Sequence, residues 1–134
     1  MFDSAGKLVL LTRPSCSERS LSVYSAFASL FITALGREEN LAGCKRAPIS
    51  VLARASNTGF TYFAPDNRVL KNGGPPILLE PVKATVSIAG RAIKAVNVLD
   101  HDGRRTGRTL AVKDGRFVID GAKEKAISYE AVFR

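Results

Sequence analysis

Past residue 57 the chain is punctuated every few positions by turn-forming residues: Asn57-Thr-Gly59, Pro65-Asp-Asn67, Asn72-Gly-Gly-Pro75, Ala89-Gly90, Asp102-Gly103, Asp114-Gly115 and Asp120-Gly121. Glycine and asparagine enter positive φ cheaply and proline removes a backbone donor, so neither a long helix nor a long strand runs through such points. The segments between them are short and rich in β-branched and aromatic residues. They predict strands at 49–54, 60–64, 77–88 with an interruption at Pro81, 93–99, 109–112, 116–119 and 127–133. The clearest hairpin joins 110–112 to 117–119 through Lys113-Asp-Gly115, and alternation puts Leu110, Val112, Phe117 and Ile119 on one apolar face. Strands of this number and spacing predict a mainly β fold, an antiparallel β-sandwich of Greek-key, Ig-like type, over residues 49–134.

Residues 1–46 read differently. Lys7-Leu-Val-Leu-Leu-Thr12 is a continuous apolar run bounded by Gly6 and Pro14, as expected of a strand buried on both faces. Ser15-Cys-Ser-Glu18 then has the capping-box pattern. Leu21, Tyr24, Ala28, Phe31 and Leu35 follow at three- and four-residue spacing up to Gly36, so a helix is expected from Ser15 to Leu35. One β–α unit cannot bury a nearly all-round apolar helix by itself. The expectation is that 1–46 is a remnant of a larger α/β domain, with the helix covered by the following domain, by a parent chain that has been cut away, or by a partner such as a homo-oligomer.

The 134 residues suffice for one compact domain, and an apolar fraction of 46% excludes a disordered chain. No secretory signal is visible at the start, and the apolar-rich stretch 21–35 is broken by Ser22, Ser25, Ser29 and Thr33 and is too short to span a bilayer, so no membrane association is expected. The compartment stays open. Eleven of the 20 Lys and Arg but six of the 12 Asp and Glu fall in 81–134, which concentrates the +8 net charge there. Because Arg104, Arg105, Arg108, Lys113, Arg116, Lys123 and Lys125 interleave with acids around turns, they read first as a solvated face and second as a polyanion-binding patch.

Chemistry-bearing residues are few. His101, the single histidine, sits in Asp100-His-Asp-Gly103, a turn sequence. Cys16 and Cys44 form no Cys-x-x-Cys pair; Cys16 near a helix start reads as buried against the sandwich, with a reactive but non-catalytic thiol as the other reading. The Asp100-x-Asp102-Gly103 start of a calcium loop fails further on, where Arg104 and Ala111 replace oxygen ligands. Asn72-Gly-Gly-Pro-Pro76 lacks the Gly-Lys-Ser/Thr of a phosphate loop, and the adjacent Glu38 and Glu39 do not make a glycosidase pair. No catalytic residue, metal or cofactor is expected. Phe60, Tyr62 and Phe63 place aromatics on both faces of one strand, which reads as packing between sheets, with stacking on sugar rings as the other reading. The ligand contacts expected, if there are any, are Tyr62, Arg104, Arg105 and Arg108.

The strand series Phe60-Thr-Tyr-Phe-Ala-Pro65, Ile77-Leu-Leu-Glu-Pro-Val82, Ala84-Thr-Val-Ser-Ile88, Ile93-Lys-Ala-Val-Asn-Val-Leu99, Gly115-Arg-Phe-Val-Ile119 and Ile127-Ser-Tyr-Glu-Ala-Val-Phe133 resembles the C-terminal β-sandwich of multidomain glycoside hydrolases, most closely β-galactosidase- and fucosidase-like tails. The resemblance covers about 49–134, while 1–46 is similar in outline to the last β–α unit of an amidotransferase-like domain that precedes such tails. It implies a non-catalytic accessory domain, structural or weakly carbohydrate-binding. The catalytic barrel is absent, so no catalytic residue carries over. The competing expectation is a basic module that binds nucleic acid or another polyanion.

Overall fold

The segment Arg46–Leu52 alternates buried Ala47, Ile49 and Val51 with more exposed neighbours, the signature of a strand with one face on a core. The computed structural model describes residues 21–23, 28–36, 39–88 and 90–134. They form β1 (Leu21–Val23), β2 (Ser29–Ile32), β3 (Arg46–Leu52), β4 (Ala55–Thr58), β5 (Thr61–Phe63), β6 (Arg68–Lys71) and β7 (Gly74–Leu79). These are followed by β8 (Lys83–Ser87), β9 (Ile93–Leu99), β10 (Arg105–Leu110), β11 (Val112–Lys113), β12 (Arg116–Asp120), the single-turn α1 (Gly121–Glu124) and β13 (Ser128–Phe133). The protein is mainly β and its sheets are antiparallel.

Two sheets carry the core. One has the order β1-β8-β12-β11, the other β10-β9-β13-β3-β2. Their inward residues belong to a single apolar cluster: Ala84, Val86, Phe117 and Ile119 come from the first sheet, and Ile49, Val51, Val96, Val98, Tyr129 and Ala131 from the second. The chain passes between the two sheets at Ala111, so Leu110 pairs with Val96 while Val112 pairs with Phe117. The β11–β12 hairpin turns on Asp114 (φ 50°) and Gly115 (φ 71°), the double positive φ of a turn whose twist matches its strands.

The helix expected from Ser15 to Leu35 is not what the described part of that segment forms; residues 21–23 and 29–32 are strands. The reason is legible in burial. Leu30 is buried, Ile32 and Ala34 are half-buried, and Phe31, Thr33 and Leu35 are exposed, which is a period of two. The edge of β3 supplies backbone partners: Leu30 pairs with Val51 and Ile32 with Ile49, and the Thr33 N–H continues the ladder to Pro48 O at 3.2 Å. Tertiary pairing outweighs a helical spacing that rested on side-chain pattern alone. The strand expected at 7–12 and Cys16 lie outside the described residues. The pairing of β1 with β8 and of β2 with β3 crosses the boundary expected between 46 and 49.

A second departure is the arm. β4 pairs with β7 and β5 with β6, so residues 55–79 make one long two-stranded ribbon in two segments. At its root the Glu80 N–H donates to Arg54 O at 2.9 Å and Arg54 Nε lies 3.4 Å from Glu80 Oε2. Where the two segments meet, the ladder shifts register after Asn57, and Gly73 (φ 66°) lets the strands close: a Cβ there would stand 2.4 Å from Thr58 O. Thr58 Oγ1 donates to Pro76 O at 2.7 Å and Asn57 Nδ2 to Asn72 O at 3.0 Å, bracing the same junction. The expected break at Pro81 separates β7 from β8.

Candidate functional site

The arm decides where Tyr62 goes. Instead of packing between sheets, Phe60, Tyr62 and Phe63 are 38%, 53% and 45% exposed. The Phe60 and Tyr62 rings lie 6.3 Å apart at 33°, and Arg68 sits over the Phe63 ring at 5.8 Å. Among the described residues β5 pairs with β6 alone, and the exposure of its rings shows that no described sheet packs over them. Val69, Leu70, Ile77, Leu78 and Leu79 on the returning strands are exposed as well.

The three expected arginines leave the β9–β10 turn in different directions. Arg105 Nε donates to Glu130 Oε2 at 2.7 Å, and Asn97 Nδ2 and Arg46 Nη1 approach the same carboxylate at 3.1 and 3.6 Å. Burial alone would raise the Glu130 carboxyl. The hydrogen bonds from Arg105 and Asn97, with the charges of Arg105 and Arg46, outweigh it and hold the group below its ordinary value. Arg108 Nη1 donates to the Glu124 carbonyl at 2.8 Å. Arg104 is exposed, and its backbone N–H donates to Asp100 Oδ1. Among the described residues no hydrogen bond, ion pair or ring contact joins these arginines to Tyr62, so the expected contacts do not form one site.

His101 occupies the turn that its sequence implied. Asp100 Oδ1 accepts the backbone N–H groups of Asp102 (2.9 Å) and Arg104 (2.8 Å), and Gly103 takes φ 76°. That commits Asp100 to backbone geometry. His101 borders a cleft of about 410 Å³ at the root of the arm, walled by Leu52, Ile77, Leu79, Val82 and Ile127. Cys44 is fully buried, its Sγ 3.7 Å from Leu41 O. No group of three or more His, Cys, Asp or Glu that could hold a metal occurs among the described residues. None of the described helices is long and apolar enough to cross a membrane.

A second cleft, about 970 Å³, opens where β10, β11 and β12 meet. Its floor is Val98, Leu110 and Phe117, and Lys83, Arg108, Lys113, Arg116 and Lys123 stand around it with Asp114, Asp120 and Glu124. Sequence reading grouped Arg108, Lys113, Arg116 and Lys123 first as turn charge and second as a polyanion-binding patch, without Lys83, because the crossover at Ala111 that gathers them belongs to the tertiary structure. Glu130 was missed too, although a lone carboxylate inside an apolar strand already demands partners.

No protein-family model matches this chain, and neither the curated proteins nor the solved structures contain a match to it.

Proposed function

We propose that the chain is a non-catalytic accessory domain of a carbohydrate-active enzyme, an Ig-like β-sandwich whose arm contacts sugar. The observation that carries this reading is the exposed aromatic group of Phe60, Tyr62 and Phe63, since solvent-facing rings on a ribbon are suited to stack on the apolar faces of pyranose rings. The resemblance of the strand series to glycoside hydrolase tails points the same way. So does the Tyr129 hydroxyl, which donates at 3.1 Å to Ala126 O just upstream of its strand, a contact of the kind found at strand corners in Ig-like sandwiches. The partner is the catalytic part of a parent chain or a second copy. It would meet apolar surface on the arm and on the outer face of the β2–β3 edge, at Phe31 and Leu52, in place of the helix face first expected.

The test is titration of the intact chain with a panel of neutral oligosaccharides, followed by ring and amide signals. Binding that shifts Tyr62 and is weakened at least tenfold by Tyr62→Ala supports the reading; a panel without a hit, or hits indifferent to that substitution, overturns it. The alternative, a basic module for nucleic acid or another polyanion, draws on the +8 charge. It has less support at the arginines first singled out, because Arg105 is committed to Glu130 and Arg108 is anchored on a carbonyl. Retention on heparin that falls steeply between low and moderate salt, with no sugar binding, would favour it.

A further inference from the structure

We propose that the cleft between β10, β11 and β12 binds an acidic saccharide, a sugar chain bearing carboxylate or sulfate, through Lys113, Arg116 and Lys123.

The cleft carries an excess of cations: Lys83, Arg108, Lys113, Arg116 and Lys123 against Asp114, Asp120 and Glu124. Lys83 has Asp120 at 3.8 Å, but among the described residues no carboxylate pairs with Arg108, Lys113, Arg116 or Lys123. The acids of the cleft are largely spoken for. Asp120 Oδ1 accepts the Lys123 backbone N–H at 3.2 Å, and Glu124 Oε2 accepts the Asp120 N–H at 2.6 Å, so both carboxylates cap α1. Among the described acids lining the cleft, Asp114 at the hairpin tip has no hydrogen bond or ion pair through its carboxylate.

The register adds an independent observation. Lys113 stands directly opposite Arg116 across the β11–β12 ladder, a like-charge pair that is destabilising in the absence of an anion. An anionic group seated between them removes that cost. The volume lies within the range of roughly 300–1,000 Å³ usual for small-ligand sites, and Val118, exposed on β12, and Leu110 offer apolar surface beside the charges. That combination of apolar patches and cations suits a sugar ring carrying an acid. Single-stranded nucleic acid gains much of its affinity by stacking bases on exposed aromatics, and among the described residues lining this cleft the one aromatic, Phe117, is 1% exposed.

The choice of a sugar rests on the function proposed above; the requirement for negative charge does not. The test titrates the intact chain with trigalacturonate, its fully methyl-esterified form, a heparin tetrasaccharide and a short oligothymidylate, followed by backbone amide shifts. Trigalacturonate or the heparin fragment should move amides of residues 108–124, with dissociation constants in the micromolar to millimolar range, and the esterified trimer should leave them still. The double substitution Lys113→Gln/Arg116→Gln should raise the dissociation constant at least tenfold while leaving the thermal midpoint equal or higher, since it removes a like-charge pair from an exposed position.

Silence of these amides towards both acidic sugars, binding unchanged in the double variant, or equal binding of the esterified trimer overturns the proposal. Tighter binding of oligothymidylate at the same amides overturns its saccharide class. Tyr62→Ala separates this proposal from the function above: neutral sugars that still bind through the arm while the cleft stays silent refute only the cleft.

Discussion

Arg105 Nε stands 2.7 Å from Glu130 Oε2 on the outward face of the five-stranded sheet, and the carboxylate that receives it is only 7% exposed. Glu130 lies opposite Pro48 on one side and Asn97 on the other, at the centre of β13, so the contact ties three neighbouring strands and the edge strand β10 together. Arg46 and Arg105 cover the carboxylate with side chains that are themselves about half exposed. The pair is therefore screened, and its worth is well below that of a dry ion pair.

Replacing Arg105 with Ala should lower the urea midpoint of unfolding, because it strips the closest donor from a buried carboxylate. In the double variant with Glu130→Gln the two losses should be less than additive, since the second change removes the charge that the first left uncompensated. Urea unfolding of the four proteins measures this; strict additivity would show that the two groups do not communicate.

Glu130 also sets an acid limit. Its carboxyl titrates below the ordinary value of 4.5, so the unfolded chain takes up its proton first as the pH falls. Stability from this group is present above that value and lost progressively below it. The stability gap between the native chain and Glu130→Gln should narrow from about pH 4 downward and stay constant between pH 6 and 8. A gap independent of pH would remove the ion cluster as its cause.

At the alkaline end the relevant group is Tyr129, fully buried, with its hydroxyl donating to Ala126 O. Burial, helped by the negative charges of Glu124 and Asp120 and opposed by Arg108, pushes its pKa up to about 12. Between pH 10 and 12 the unfolded chain loses this proton before the folded one does. Stability should therefore fall across that window, by at most about 2–3 kcal/mol. Tyr129→Phe should cost about 1 kcal/mol at neutral pH and abolish this component of the alkaline slope. Thermal unfolding against pH would show both effects.

Phe117 and Val118 are sequence neighbours with opposite environments, 1% and 47% exposed. Phe117→Ala should cost about 3–5 kcal/mol through the cavity it leaves between the two sheets, whereas Val118→Thr should change stability by less than about 0.5 kcal/mol. Equal effects would mean that the register of β12 is shifted by one residue.

The arm offers a local rather than a global test. Gly73→Ala would drive a Cβ to 2.4 Å from Thr58 O and 2.7 Å from the Phe60 N, at a positive φ. Amide exchange in β5 and β6 should accelerate at least tenfold while β9 and β13 keep their protection, because the arm's strands pair only with each other. Uniform acceleration would instead make the ribbon part of the cooperative core.

Much of the β framework was legible. The expected strand 93–99 is β9 residue for residue, and 116–119 and 127–133 match β12 and β13 within one residue at an end; of the hairpin expected between 110–112 and 117–119, Val112 pairs with Phe117 around Asp114-Gly115, while Leu110 joins β9 in the other sheet. The exceptions have one cause. At 28–35 the same apolar residues satisfy a helical stripe and a period of two, and only the free edge of β3 selects the strand. At 60–63 an aromatic strand reads as core wherever a second sheet is available to cover it, and among the described residues none covers β5.

The sequence by itself determined where the chain turns and which side of β9, β12 and β13 is apolar, since turn chemistry and alternation are local properties carried by neighbouring residues. The tertiary structure decided which edges pair, that 55–79 becomes an arm with its aromatics in solvent, and that Glu130 collects Arg46, Asn97 and Arg105 from three other strands. It also decided that Lys113, Arg116 and Lys123 surround one cleft. Strand pairing is made between residues far apart in the chain, and its energy depends on which partner edge is free, which no local pattern encodes.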